Sequence, residues 1–214
     1  VEEPRQPVGH REARLLLVEA RVSQEEGRLV GARVVVIKAQ RRLELFVGDR
    51  FVKAYRIQLS QRAHGDKVKR RDQRTPEGEY FVCARAPGKY HRGLWLSYPN
   101  LKDAERGRAQ HLITEEQYRK IADALGEGRC PPQDTKLGGD ILLHGQQGSF
   151  TRQLARSHKG GGAAGAGREA GDADPARVRS HFDWTAGCVA LFNPDVRELY
   201  EWLPDRAMVV IVDD

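Results

Sequence analysis

The chain is poor in the features that place a protein quickly. Its 214 residues include one methionine and three cysteines, and apolar runs such as Leu15–Val18 and Val34–Ile37 are short. Neither run approaches the roughly 20 residues of a membrane-spanning helix, so no transmembrane segment is expected. Three cysteines are too few for a disulfide-built scaffold. The sequence has no HExxH, no GxSxG and no phosphate-cradling glycine motif, and His111, His158 and His181 match no metal-ligand spacing. Neither a metal nor a cofactor is expected. Acidic residues are outnumbered, which leaves a net charge of +6 and a pI near 9.4. The basic cluster Lys67–Arg71 has no stacking aromatics arranged with it, so it reads as a solvated loop rather than a nucleic-acid site.

What is present suits one large globular domain, with 31% charged and 39% hydrophobic residues. The chain opens on Val1-Glu2-Glu3-Pro4, with neither an initiator methionine nor an apolar signal core, as in a trimmed chain or a mature exported protein. Residues 1–32 form a lead segment in which Arg11–Val22 reads equally as helix or strand. From residue 33 the pattern sharpens. Val34–Ile37 is β-branched, and Leu43–Val47 and Val52–Ile57 flank Gly48-Asp49 as a hairpin. Arg74–Gly78 is a turn cluster leading into a strand, Glu79–Ala84. Thr114-Glu115-Glu116-Gln117 has the capping-box pattern and predicts a helix through Leu125, ended by Gly126. Asn193-Pro194-Asp195 has cap and first-turn chemistry for a helix to Leu203, and Met208–Val212 reads as a last strand. The glycine-rich stretch 159–171 cannot bury enough apolar surface to fold alone, so residues 157–175 are expected to be a flexible insertion within a domain spanning 33–214. The fold class is mainly β with short helices, without the alternation that builds a doubly wound parallel sheet.

The chemistry concentrates in two places. His144-Gly145 closes the apolar strand Ile141–Leu143, and Cys188 follows a glycine in Asp183-Trp184-Thr185-Ala186-Gly187-Cys188. Thiolate is the strongest side-chain nucleophile near neutral pH, and it needs a nearby base or cation to form. A glycine at 187 lets backbone N–H groups face an incoming carbonyl, as an oxyanion hole requires. With Cys188 as nucleophile, Cys83 and Cys130 stand either as a disulfide or as two further thiols.

Several segments together, in order, resemble the YkuD-type L,D-transpeptidase catalytic domain and within it the YafK-like branch. They are Arg42–Phe46, Gly65 with Lys67, Asp72 with Arg74–Tyr80, Leu96–Asn100, Gly138–Gly145 and Asp183–Asn193. The resemblance implies β-sheets packed face to face in a sandwich-like, mixed-sheet arrangement, with the active site at one end. It implies an enzyme acting on peptidoglycan stem peptides outside the cytoplasm, periplasmic or exported, and open to carbapenem-type inhibitors. Carried over by position, Cys188 is the nucleophile, His144 the base and the Gly145 carbonyl the group that orients the imidazole. Backbone N–H groups around Ala186, Gly187 and Cys188 form the oxyanion hole.

Thr185, Trp184 and Asp183 shape the site. Asn193 is either a site residue or a helix cap, and Tyr98 either lines the cleft or packs in the core. Lys67 and Arg74 are either stem-peptide ligands or solvated loop residues. Two positions depart from the common pattern: Ala186 stands where the family has histidine, and Ala190 where it has an arginine able to meet a substrate carboxylate. The spacing from His144 to Cys188 also exceeds the family's usual one, and the glycine-rich stretch accounts for the excess. The reaction implied is formation of a thioester at the third stem residue, resolved by an amine. A hydrolase that trims stem peptides or releases a linked protein, and a non-catalytic wall-binding module, are the alternatives.

Overall fold

A computed structural model describes residues 24–25, 27–88, 91–146 and 183–214. The glycine-rich insertion, His158, His181 and the Arg11–Val22 segment lie outside these. The lead segment ends in a small antiparallel pair, β1 (Gln24–Glu25) and β2 (Arg28–Leu29), and Leu29 is fully buried.

Eight further strands form one sheet closed on itself. They are β3 (Ala32–Ile37), β4 (Arg42–Val47), β5 (Arg50–Gln58), β6 (Gly78–Gly88), β7 (His91–Leu96), β8 (Leu142–His144), β9 (Val189–Leu191) and β10 (Met208–Val212), and round the sheet they run β10-β3-β4-β5-β9-β8-β7-β6. The longest, β5 and β6, belong to both halves. One half is β10, β3 and β4; the other, holding the chemistry, is β9, β8 and β7. Sheet-on-sheet packing is thus achieved by one sheet whose halves face each other. The pairing is mixed: β10 with β3 and β8 with β9 are parallel, and the rest antiparallel.

Period-two alternation explains the core. Val34 and Val36 of β3 and Leu43 and Leu45 of β4 point inward and are fully buried, with the half-buried Val35 and Glu44 between them. Helix α1 (Leu101–Ala109) and helix α2 (Glu115–Gly126) build a satellite core of Ala104, Ile113, Ile121 and Leu137. Both open with reciprocal capping boxes, from Asn100 with Asp103 and from Thr114 with Gln117. Gly126 is the last residue of α2 rather than its terminator, and Glu127 is the C-cap. Cys83 on β6 and Cys130 after α2 form a disulfide with Cα atoms 5.1 Å apart, tying the helical layer to the sheet. Helix α3 (Asn193–Trp202) starts one residue earlier than predicted. Phe192 occupies the cap position without a side-chain hydrogen bond, so Asn193 does not cap the helix.

The loop between β5 and β6 is knitted together by buried cations. Lys38 continues the inward phase of Val34 and Val36 and is fully buried. Its Nζ donates to the carbonyls of Ala63 (2.8 Å), Gly65 (3.0 Å) and Thr75 (3.2 Å) and to Glu77 Oε1 (2.8 Å). Lys67, expected in a solvated loop, is buried and paired with Asp72 at 2.7 Å, and Asp72 also accepts from the N–H groups of Val68, Lys69 and Arg74. Such pairing is what makes a buried charge tolerable. Lys69, Arg70, Arg71 and Arg74 remain exposed.

Candidate active site

The parallel pairing of β8 with β9 brings the two predicted reactive groups into one neighbourhood. Leu143 pairs with Val189 and His144 with Ala190. One further residue of register sets Cys188 beside Leu142, on the same face as His144. Strand spacing and rise then give a diagonal of about 8 Å between the Cα atoms of Cys188 and His144, a span that an imidazole and a thiol can close between them.

His144 is buried, and its Nδ1 lies 2.7 Å from the Gly145 carbonyl oxygen. A carbonyl only accepts, so Nδ1 carries the hydrogen and Nε2 is the basic nitrogen. Burial holds the imidazole pKa below its ordinary value, partly offset by that hydrogen bond, so the ring is neutral at neutral pH. The indole of Trp184 stands edge-on to the imidazole, with centroids 5.6 Å apart and planes at 74°.

Cys188 is half-buried and donates to the Asp140 carbonyl at 3.1 Å. Burial pushes its pKa up to about 11; a backbone hydrogen bond with Leu142 and the charge of Lys67 pull it down, and Asp140 pushes it up. The resting pair is therefore a neutral thiol and a neutral imidazole. Such a pair can act only by handing the proton over as the nucleophile attacks.

The loop before Cys188 is held from several sides. Asp183 is buried; its Oδ2 accepts from Arg41 Nε (2.9 Å) and Nη2 (2.7 Å), and its Oδ1 from the Leu59 N–H (2.9 Å). The Leu59 carbonyl accepts from the Trp184 and Thr185 N–H groups in return. The Thr185 hydroxyl donates to the Cys188 carbonyl at 2.8 Å and accepts from the Gly187 N–H at 3.3 Å, closing the turn. Ala186 is exposed and Gly187 buried, with φ of 136°. A Cβ at 187 would lie 2.8 Å from the Arg74 carbonyl oxygen, so glycine is required twice over, by the dihedral and by the close approach.

Asn193 is drawn into this neighbourhood through its side chain, whose Oδ1 accepts the Gln146 N–H at 2.8 Å. Tyr98 is fully buried with its hydroxyl donating to the Leu137 carbonyl, which is the core-packing position. Arg74 is exposed, its Nη1 donating to the Asp66 carbonyl at 3.3 Å. His111 is exposed beyond α1.

Sequence reasoning missed four participants. Asp140 supplies the carbonyl that accepts the thiol hydrogen bond, from a left-handed backbone with φ of 56°. Gln133 accepts the Asp140 N–H at 2.6 Å. Gln58 accepts the Trp184 Nε1–H at 2.9 Å, and Gln146 donates to the same oxygen at 3.4 Å. Polar residues in phase with an inward strand face are the one sequence signal, and Gln58, at the end of β5, carries it weakly.

No curated protein matches the chain. Among solved structures, it is similar to Bd1075 of Bdellovibrio bacteriovorus, with 20% identity and a TM-score of 0.47 over 90% of this chain and 51% of that one. It is also similar to the helical cell shape determining protein Pgp2 of Campylobacter jejuni, with 18% identity and a TM-score of 0.47 over 96% and 56% of the two chains. A third similar structure is the L,D-transpeptidase LdtMt1 in complex with imipenem, at 7% identity and a TM-score of 0.39 over 85% and 59%. The chain spans about half the length of the first two. A family model described as YkuD, L,D-transpeptidase catalytic domain, matches residues 31–211, which include the closed sheet except Val212, together with His144 and Cys188, and by that match the chain belongs to the YkuD family of L,D-transpeptidase catalytic domains.

Proposed function

We propose that the chain is a cysteine acyltransferase acting on peptidoglycan stem peptides outside the cytoplasm, with Cys188 as nucleophile and His144 as base. The observation that carries this reading is the Gly145 carbonyl on His144 Nδ1, which sets the tautomer with Nε2 basic on the sheet face that Cys188 shares. Cys188 turns from the Asp140 carbonyl toward Nε2, transfers its proton there, and its sulfur attacks the carbonyl carbon of the third stem residue. The Cys188 N–H, at the head of the strained Gly187 turn, lies beside the developing oxyanion. Collapse of the tetrahedral species breaks the bond to the terminal residue, and the imidazolium returns the proton to the departing amine. An incoming amine then attacks the thioester, gives its proton to Nε2, and releases Cys188 as thiol.

Ala190 favours a second reading, in which water takes the place of the amine acceptor. The arginine of the common family pattern at this position is able to meet a substrate carboxylate, and here Ala190 pairs directly with His144. The deciding experiment is intact-mass spectrometry after exposure to imipenem, wild type beside Cys188→Ala, followed by muropeptide product analysis. An adduct on the wild type alone supports the nucleophile, and products heavier by an amine rather than by water support the transferase. Full muropeptide activity in Cys188→Ala ends the mechanism.

A further inference from the structure

Four residues form one transverse row across the sheet. Gln58 of β5 pairs with Ala190 of β9, Ala190 with His144 of β8, and His144 with Gly93 of β7. Residues paired directly across strands share a face, so Gln58 stands on the same face as the imidazole, one small residue away. Glycine and alanine flank His144 in that row, so its direct cross-strand neighbours carry little or no side chain. Trp184 stands edge-on to the ring, with centroids 5.6 Å apart.

The indole is in turn held by Gln58. An indole N–H can only donate, so the Gln58 amide presents its oxygen to Trp184 Nε1, at 2.9 Å, and that orientation requires Gln146 to present its NH₂ group, at 3.4 Å. Gln58 and Gln146 are both buried, so water does not readily replace either bond. The backbone of Gln146 is fixed separately by Asn193, one strand end beyond His144.

We propose that Gln58 is a positioning residue for the Cys188–His144 reaction: its side-chain carbonyl braces the Trp184 indole, and the indole fixes the plane of the imidazole. The inference rests on the reading of Cys188 and His144 given above. Removing the carbonyl takes away the acceptor that orients the half-buried indole, the ring tilts, and the base loses its alignment with Sγ.

The test is the rate of Cys188 acylation by imipenem, followed by intact mass from acid to neutral pH, with thermal unfolding of each variant beside it. Gln58→Leu and Trp184→Phe are each expected to slow acylation by about 10- to 100-fold, the scale of a catalytic group displaced by an ångström. The double variant is expected to be no slower than the slower single one, because both changes break one contact. Gln58→Glu keeps an acceptor for both donors; it is expected to retain the neutral-pH rate while its carboxylate moves the acid limb to higher pH. A purely structural role would not give that rescue. A Gln58→Glu variant as slow as Gln58→Leu, or single effects that multiply in the double variant, overturns the inference and leaves Cys188 and His144 standing. Should Gln58→Leu fail to fold, Gln58→Glu and Trp184→Phe still decide. A wild type that forms no adduct overturns the parent reading and this inference with it.

Discussion

The Cys188 thiol donates to the main-chain carbonyl of Asp140 at 3.1 Å. Asp140 holds a left-handed backbone, and its N–H donates to Gln133, so the acceptor is set by the loop that carries Gln133. On the proposed reading, the nucleophile rests as a neutral thiol on a fixed carbonyl, with the base neutral nearby.

The first prediction concerns pH. Burial holds His144 below the usual imidazole value and pushes Cys188 up to about 11, so the reacting neutral pair persists between those two titrations. Acylation should fall on the acid side only below the ordinary imidazole pKa of about 6.5, and stay level well into alkaline pH. In His144→Ala the rate should instead climb with pH, as direct ionisation of the thiol becomes the only route. A wild-type rate that rises steadily through pH 8 to 9, in parallel with His144→Ala, would falsify the pairing; the scale of those values is that of a free thiol, about 8.5.

Gly187→Ala should be destructive although it adds one methyl group. The new Cβ meets the Arg74 carbonyl at 2.8 Å in a backbone conformation that L-residues rarely adopt. Strain and overpacking together should cost about 2–4 kcal/mol, measured by denaturant unfolding, with loss of the imipenem adduct. Wild-type stability and acylation in this variant would show that the turn yields easily.

Asp183→Ala should destabilise more than a surface change. It strands the Arg41 guanidinium and the buried Leu59 N–H at once, a loss of about 3–5 kcal/mol for a broken buried pair. Asp183→Asn, which keeps an acceptor, should lie between the two. Equal stability of all three proteins in urea would remove Asp183 from the scaffold of the loop.

The Cys83–Cys130 bridge closes a sequence separation of 47 residues. Loop-closure entropy for a ring of that size gives about 4 kcal/mol of stabilisation. Alkylation and mass spectrometry of the unfolded protein should count one thiol before reduction and three after, and reduction should lower the melting temperature. Three thiols before reduction would refute the bridge.

Much of the sheet was legible in the sequence because its strands obey simple periodicity. Val34 to Ile37, the hairpin about Gly48-Asp49 and Met208 to Val212 alternate or are β-branched, and Thr114 to Gln117 carries its own cap chemistry. Strand β8 was legible as the apolar run that ends at His144, whereas β7 and β9 were not. A three-residue segment such as Val189–Leu191 is buried on both sides, so it shows no alternation to read. Helix α1 was missed as well, although Asn100 and Asp103 form a capping box as complete as that of Thr114, because its mean hydropathy is low and glycine interrupts it.

Residue identities alone determined which groups could react, since a cysteine behind a glycine turn and a histidine at a strand end are properties of the chain. Their neutrality at rest, the Asp140 carbonyl that accepts the thiol hydrogen bond, and the Gln58–Trp184 hydrogen bond were decided only by the tertiary structure. Each depends on burial or on a contact between segments far apart in sequence, and the free energy of a charge or a hydrogen bond is set by what surrounds it in space rather than by its neighbours along the chain.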